Sequence, residues 1–90
     1  MVEKSVELDE LFTRANELRG QIRRFHLTPF WRDLRKLEAN LLDIAVEISK
    51  EEVNCRRLHT ETAHFAKLVD NFKESIVNCE QYLMIAVLSN

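Results

Sequence analysis

Residues 26–41 read HLTPFWRDLRKLEANL, and this stretch divides the chain into two helical segments. Thr28 is a favoured helix N-cap, and Pro29 suits the first helical position, where its missing N–H costs no hydrogen bond. Pro29 is the only proline in the 90 residues, and Gly20 is the only glycine. Sheet folds need many more turn residues than this. The sequence therefore predicts an all-α fold in which a helix begins at Pro29 and runs back along the preceding one as an αα-hairpin.

The segment before this turn predicts a first helix over residues 5–25. Ser5 can cap its start, and the acidic residues Glu7, Asp9 and Glu10 lie in the first turn, where the helix dipole favours negative charge. Apolar residues then recur at alternating spacings of three and four, which indicates one buried face. These residues are Leu8, Leu11, Ala15, Leu18, Ile22 and Phe25.

A heptad pattern continues from Pro29 to Leu88 without a change of phase. Its a positions are Leu34, Leu41, Ile48, Cys55, Thr62, Val69, Ile76 and Leu83, and its d positions are Leu37, Ile44, Glu51, Leu58, Phe65, Phe72, Cys79 and Ala86. The pattern predicts one long helix over residues 29–88, about 90 Å at 1.5 Å per residue. A kink or break at residues 52–60, which leaves three helices of ordinary length, is the alternative.

The length of the first helix determines what this chain needs to cover its seam. Residues 5–25 can cover the second helix only to about Glu51, so the seam beyond must be covered by other chains or by a fold-back after a break. Each large apolar side chain left in water would forfeit on the order of 1.5–3 kcal/mol. Apolar residues also lie off the seam, which is typical of bundles with three or more helices. We therefore expect a multi-chain coiled-coil bundle, a hetero-oligomer with other helical protein subunits. The predicted partner interface comprises Leu8, Leu11, Leu18, Ile22, Leu58, Phe65, Val69, Phe72, Ile76 and Leu83.

Two polar features of the long segment have two interpretations each. Glu51 is either a buried residue that sets the register or the site of a local widening where it reaches solvent. Cys55 and His59 are four residues apart, which on a helix places them on one face, with His64 nearby. Zinc takes four ligands, commonly with paired cysteines, so a core thiol with surface histidines is the favoured interpretation, and no metal site is predicted.

A basic cluster surrounds the predicted hairpin turn, opposed there only by Asp33. It consists of Arg19, Arg23, Arg24, Arg32, Arg35 and Lys36. The cluster either contacts an acidic partner, such as a tubulin tail, a lipid head group or nucleic acid, or is a solvated helix end whose cations suit the C-terminal dipole.

Composition excludes several functional classes. The formal charge is −2, with 31% charged and 46% hydrophobic residues, which is typical of neither a disordered chain nor a nucleic-acid binder. Two cysteines do not make a disulfide framework, and no signal peptide or membrane-spanning run is expected, so we predict a cytoplasmic or nuclear protein. No acid–base pair, Ser/His/Asp set or nucleotide motif is present. We therefore predict that the chain is not an enzyme and has no catalytic residues and no cofactor.

The run Leu11-Phe12-Thr13-Arg14-Ala15-Asn16-Glu17-Leu18 resembles the opening helix of the small second subunit of the spindle and kinetochore-associated (Ska) complex. The restart at Pro29 also falls about where that family begins its long second helix. The resemblance implies a non-enzymatic subunit that forms a helical bundle with two larger partners at the outer kinetochore. Such complexes link chromosomes to spindle microtubules in mitosis, and another subunit contacts the microtubule, so any microtubule association of this chain would be indirect.

Two competing interpretations remain open. The chain also resembles, more loosely, the three-helix regulatory domain at the N-terminus of syntaxins, through residues 8–25 and the late segment 65–72. That interpretation predicts a break near residues 52–60 and a folded monomer. The other is a small subunit of a tethering or lysosome-positioning complex in membrane trafficking.

Overall fold

The computed structural model describes the backbone of residues 2–89 and the side chains of residues 7–89, and this part of the chain forms three α-helices without a β-strand. Helix α1 spans Val2–Arg23, α2 spans Trp31–Leu58 and α3 spans Ala63–Ser89. The all-α prediction is confirmed, but the single long helix over residues 29–88 is wrong. The molecule measures 48 × 20 × 17 Å, about half the length of the expected rod.

The turn between α2 and α3 ends the predicted long helix, although it contains no glycine or proline. His59 takes the left-handed conformation, with φ 56° and ψ 29°. The His59 N–H donates to the Arg56 carbonyl (3.2 Å) and the Thr60 N–H to the Cys55 carbonyl (3.1 Å). These two bonds form a Schellman motif, which satisfies carbonyls that a helix end would otherwise leave unpaired. The break therefore lies at residues 59–62, at the edge of the predicted range.

Helix α3 begins at the other side of this turn with a threonine cap. The Thr62 hydroxyl accepts a hydrogen bond from the Phe65 N–H (3.0 Å) and donates to a Glu51 carboxylate oxygen (2.9 Å). Glu51 and Thr62 are the two polar residues in the apolar seam. Their bond joins the two helices across the turn, so Glu51 is half-buried and bonded to the start of α3.

Between α1 and α2 the chain turns close to the predicted position. The Thr28 hydroxyl donates to the Phe25 carbonyl (2.7 Å) and accepts from the Phe30 N–H (3.3 Å). Helix α2 begins at Trp31, two residues after the predicted Pro29, and α1 ends at Arg23, two residues before the predicted end. At the start of α1 the helix extends back to Val2, and the side chain of Ser5, the predicted cap, lies outside the described residues.

Contacts between side chains define an up-down-up topology. Glu7 pairs with Lys73 and Arg14 with Glu80 (2.7 Å), so α1 and α3 are parallel, with these ion-paired residues 66 positions apart. Tyr82 donates to Asp33 (2.8 Å) and Asn40 to Ser75 (2.9 Å), so α2 and α3 are antiparallel. Helix α3 therefore lies beside both other helices, which is the fold-back alternative.

The core lies along the axis between the three helices. The buried apolar residues are Leu8, Leu11, Ala15, Leu18, Ile22, Phe25, Leu34, Leu41, Ile48, Phe72, Ile76, Cys79, Leu83 and Ala86. The a/d seam of α1 is buried as predicted, and it covers the seam of α3. Other chains are therefore not needed to remove the seam of residues 72–86 from water.

Candidate interaction surfaces

The basic cluster and the end of α3 lie at the same end of the bundle. Arg14 pairs with Glu80, and the rings of Phe12 and Phe72 lie 5.4 Å apart, which are offsets of 66 and 60 positions. The end of α1 at Arg23 therefore lies level with the last turns of α3. The α1–α2 turn, residues 24–30, lies just beyond them. We call residues 19–36 and 81–89 the turn end of the bundle.

The six predicted basic residues are all brought to the turn end, but they have different surroundings. The Arg19 Nε lies 3.8 Å from the Glu38 carboxylate, and the Arg35 guanidinium lies 5.7 Å from the centroid of the Trp31 ring. Arg23, Arg24 and Arg32 are exposed and make no ion pair with any residue whose side chain is described, and Lys36 is also exposed. Among the residues whose side chains are described, none forms an ion pair with these four cations, so they face solvent or a partner.

Large apolar side chains are exposed beside these cations. Leu27 at the tip of the α1–α2 turn is 87% exposed. Met84, Ile85, Val87 and Leu88 in the last turns of α3 are 57–80% exposed. At about 100° per residue these four α3 side chains spread over an arc of about 160°, so they cover the outward half of the helix surface. The turn end is thus an apolar tip surrounded by arginines.

A second exposed apolar surface runs along the side of α2. Leu42, Val46 and Val53 are 37%, 52% and 66% exposed, and their spacing of four and seven residues places them on one face of the helix. Leu42 follows Asn40, which contacts α3, by two positions, or about 200° around the helix. This surface, which we call the α2 stripe, therefore faces away from α3.

Most residues of the predicted partner interface contact other parts of the same chain. Leu8, Leu11, Leu18, Ile22, Phe72, Ile76 and Leu83 are buried in the core of the bundle. Phe65 and Val69 are half-buried against that core, and Leu58 is 54% exposed. The prediction that the buried seven face other chains is corrected, since the fold uses them to join its own helices.

The cysteines and histidines do not converge on a site. The break at His59 removes it from the helical face of Cys55, whose sulfur lies 3.9 Å from the Thr62 hydroxyl oxygen. Residues 7–89 contain no group of three His, Cys, Asp or Glu side chains placed to hold a metal ion. Burial raises the pKa of the Cys79 thiol to about 11, so this thiol stays protonated at neutral pH. The buried, protonated Cys79 thiol is therefore not a reactive nucleophile.

A groove of about 200 Å³ lies between α1 and α3 at the end opposite the turn end. Leu8, Phe65, Ala66 and Val69 supply its apolar residues, and Glu7, Glu61, Asp70 and Lys73 supply its charged ones. Glu7 accepts a hydrogen bond from Lys73, which raises the pKa of that ammonium. Within this groove Glu7 and Lys73 therefore form an ion pair that joins α1 and α3.

Comparison with protein-family models, curated proteins and solved structures found no match to this chain. None of the three described helices is long and apolar enough to cross a membrane. The functional interpretation therefore depends on the two exposed surfaces.

Leu27 is the surface residue that the hydrophobic periodicity of the sequence could not identify, because it lies in a turn. Its signal in the sequence is an apolar residue between His26 and Thr28, beside the arginines.

Proposed function

We propose that this chain is a non-enzymatic scaffold subunit of a multi-subunit complex and that it binds a helix of a partner protein along the α2 stripe. The observation that carries the proposal is that Leu42, Val46 and Val53 remain exposed although the chain fills its own core. The exposed face of a bundle helix is normally polar. An apolar row at spacings of four and seven is the form in which helices recognise one another.

The kind of partner follows from the geometry of the stripe. A helix that lies along α2 on the side away from α3 would extend the three helices to four, with the stripe as part of a second seam. Ser49, which continues the spacing between Val46 and Val53, is small and would let the partner helix approach closely. This arrangement agrees with the expectation of a bundle built with other helical subunits.

We further propose that the complex acts at the outer kinetochore and links chromosomes to spindle microtubules in mitosis. The support for this step is the resemblance of residues 11–18 to the opening helix of the small Ska subunit. In the present fold Leu11, Ala15 and Leu18 of that segment are buried in the core, so it is a bundle-forming helix. Microtubule contact would be made by another subunit.

A self-contained three-helix regulatory domain, or a small subunit of a trafficking complex, is the second candidate. The specific observation in its favour is the turn at residues 59–62, which lets α3 pack on α1 and α2 of the same chain. On this proposal the chain is a monomer with a transient partner, and it is found at membranes or in the cytoplasm instead of at kinetochores.

The test uses a tagged chain in mitotic cells and two sets of variants. Val46→Asp with Val53→Asp should remove stoichiometric partner subunits from the isolated complex, as measured by quantitative mass spectrometry. Val77→Asp changes an exposed valine on α3 and should leave the complex intact. Unchanged partners in the stripe variant would overturn the role of the stripe. Metaphase imaging tests the kinetochore step separately, and staining that lacks a kinetochore signal would contradict it.

The mass of the isolated chain in solution distinguishes the two candidates further. Light scattering on a sizing column should give the mass of one 10.6 kDa chain for a self-contained regulatory domain at every concentration. A scaffold subunit with an uncovered stripe should instead form larger species as its concentration rises, and co-expression with partner subunits should replace these by one complex of fixed stoichiometry.

A further inference from the structure

The charge of this molecule is strongly divided between its ends. Residues 19–36 and 81–89, the turn end, contain six cationic side chains and one carboxylate, a formal charge of +5, or +4 when Glu38, 3.8 Å from Arg19, is included. The remaining residues contain seven cationic and fourteen acidic side chains, a formal charge of −7. The net charge of −2 conceals this division. An anionic surface would therefore attract the turn end and repel the rest of the bundle.

The exposed apolar side chains of the turn end lie on the same tip as its unpaired arginines. Leu27 is the most exposed large apolar residue described, and Ile85 and Val87 point to opposite sides of the last turns of α3. Arg23 and Arg24 lie at the end of α1 and the start of the turn that carries Leu27, and Arg32 lies in the first turn of α2. Arginine can keep its guanidinium among polar groups while its aliphatic stem lies along apolar surface.

We propose that the turn end docks onto the surface of an anionic phospholipid bilayer. In this arrangement the bundle axis is roughly perpendicular to the membrane plane. Leu27 and the exposed apolar residues in the last turns of α3 enter the boundary between head groups and acyl chains, and the arginines contact lipid phosphates. Basic residues next to inserted apolar side chains are the usual composition of interfacial membrane anchors. The rest of the bundle carries the acidic residues and is repelled by the same lipids, which favours an orientation in which only the turn end contacts the membrane.

The shape of the tip favours a lipid surface over a protein partner. The four exposed α3 side chains spread over about 160° of the helix, so the tip is convex. A rigid partner surface that reached one side of such a tip would leave the other side in water. A fluid bilayer boundary can surround a convex apolar tip without a matching shape. The groove between α1 and α3 lies at the opposite end and takes no part in this surface.

This inference does not depend on the proposed function, because the two surfaces are separate. The α2 stripe runs along the side of the bundle, whereas the lipid contact is at its end. Binding of a partner helix along α2 would leave the tip free. Failure of one proposal therefore says nothing about the other, and variants at the two surfaces distinguish them.

The test uses the full chain with large unilamellar vesicles of phosphatidylcholine, with and without 30% phosphatidylserine, at about 0.1 M salt. Trp31 is the only tryptophan and lies at the turn end, so its emission reports docking directly. We expect co-flotation with the phosphatidylserine vesicles, a blue shift of the Trp31 emission and loss of both at 0.5 M salt, because salt screens exposed charges. Equal binding to the two kinds of vesicle, or to neither, would overturn the proposal.

Variants then locate the contact. Arg23→Glu with Arg24→Glu should lower the vesicle partition coefficient by more than about 30-fold, since each lost cation near an anionic surface contributes about fivefold and the two added carboxylates are repelled. The matched control is Arg56→Glu with Arg57→Glu, which makes the same charge change at the opposite end of the molecule and should have no such effect. An equal loss in both pairs would mean that only net charge matters and would refute a defined docking end.

A substitution of Leu27 tests the apolar part of the contact and distinguishes a lipid surface from a protein partner. Leu27→Asp removes an exposed side chain from the tip, should leave the helix content measured by circular dichroism unchanged and should abolish the Trp31 blue shift. If Leu27→Asp instead releases a protein subunit from the isolated complex, while the wild-type chain ignores phosphatidylserine vesicles, the turn end is a protein interface and the lipid proposal is wrong.

Discussion

His59 gives the sharpest test of the fold, because replacing it by glycine changes the free energy of unfolding in opposite directions in a three-helix bundle and in one continuous helix. In the three-helix bundle His59 has φ 56° and ψ 29°, the left-handed conformation that costs a residue with a Cβ roughly 1 kcal/mol. Glycine adopts it without that cost but loses more backbone freedom on folding. The balance predicts that His59→Gly stabilises the chain by about 0.5 kcal/mol.

A continuous helix over residues 29–88 gives the reverse result. There His59 would lie in a helix interior, where glycine is among the poorest helix formers, and His59→Gly would destabilise the chain by roughly 0.3–0.5 kcal/mol. The control is Lys50→Gly, at an exposed position inside α2, which should cost about 0.7–1 kcal/mol in either structure. This control gives the loss of stability that glycine causes at an exposed site inside a helix.

The measurement is urea unfolding of the isolated chain, followed by circular dichroism and supported by thermal melts. For a domain of this size 1 kcal/mol shifts the melting temperature by about 4–8 °C, so His59→Gly should raise it by about 2–4 °C. Lys50→Gly should lower it. If His59→Gly lowers the melting temperature as Lys50→Gly does, the turn at residues 59–62 is not formed and the reasoning fails.

Three further predictions concern single contacts. Thr62→Ala should lower the free energy of unfolding by about 1 kcal/mol because α3 loses its N-cap, whereas Thr62→Ser should stay within a few tenths, and equal losses in urea titrations would mean that the hydroxyl does not cap. Phe72→Ala should cost about 3–5 kcal/mol as a core truncation, against about 0.5 kcal/mol or less for Val46→Ala, and similar losses would contradict the assigned core. Burial raises the pKa of Cys79 from 9.0 to about 11, so the unfolded chain ionises this thiol first and stability falls as pH rises from about 9 to 11. In urea titrations Cys79→Ala should show a smaller decrease over that range, and parallel pH curves would exclude the mechanism.

The parts of the fold that were predictable are those where the local pattern and the tertiary contacts agree. The seam of α1 is buried because its apolar residues lie on one helical face, and that face exists in any bundle. Thr28 and Pro29 marked the first turn because their conformational preferences are strong and local. No partner or long-range contact is needed to read either signal.

The sequence leaves the second turn only as an alternative to a continuous helix, for a physical reason. Cys55 and Thr62 are seven residues apart, so the connection between α2 and α3 preserves the heptad count and hides the change of direction. The helix ends at a left-handed histidine, and histidine is not a usual helix-ending residue. The available signal was the pair of polar residues at seam positions, Glu51 and Thr62, whose hydrogen bond joins the two helices.

The candidate surfaces could be predicted only in part. The basic cluster is readable because its residues surround the α1–α2 turn. The α2 stripe and the last turns of α3 are exposed because α1 does not cover those faces. Which faces α1 covers is determined by the packing of all three helices. The partner interface was assigned to core residues because a single long helix would have left them uncovered.

The uneven burial along the α2–α3 hairpin sets where amide hydrogens should exchange with solvent. Between Ile48 and Phe72 no side chain is fully buried, so this end of the hairpin is held by partly buried contacts and by the hydrogen bonds of the turn. Amides of residues 51–66 should exchange through local opening of this segment. Those between Phe72 and Ala86, packed on both other helices, should exchange only when the whole domain unfolds. The bundle thus contains two cooperative units of unequal stability, and the boundary between them lies near Ile48 on α2 and Phe72 on α3.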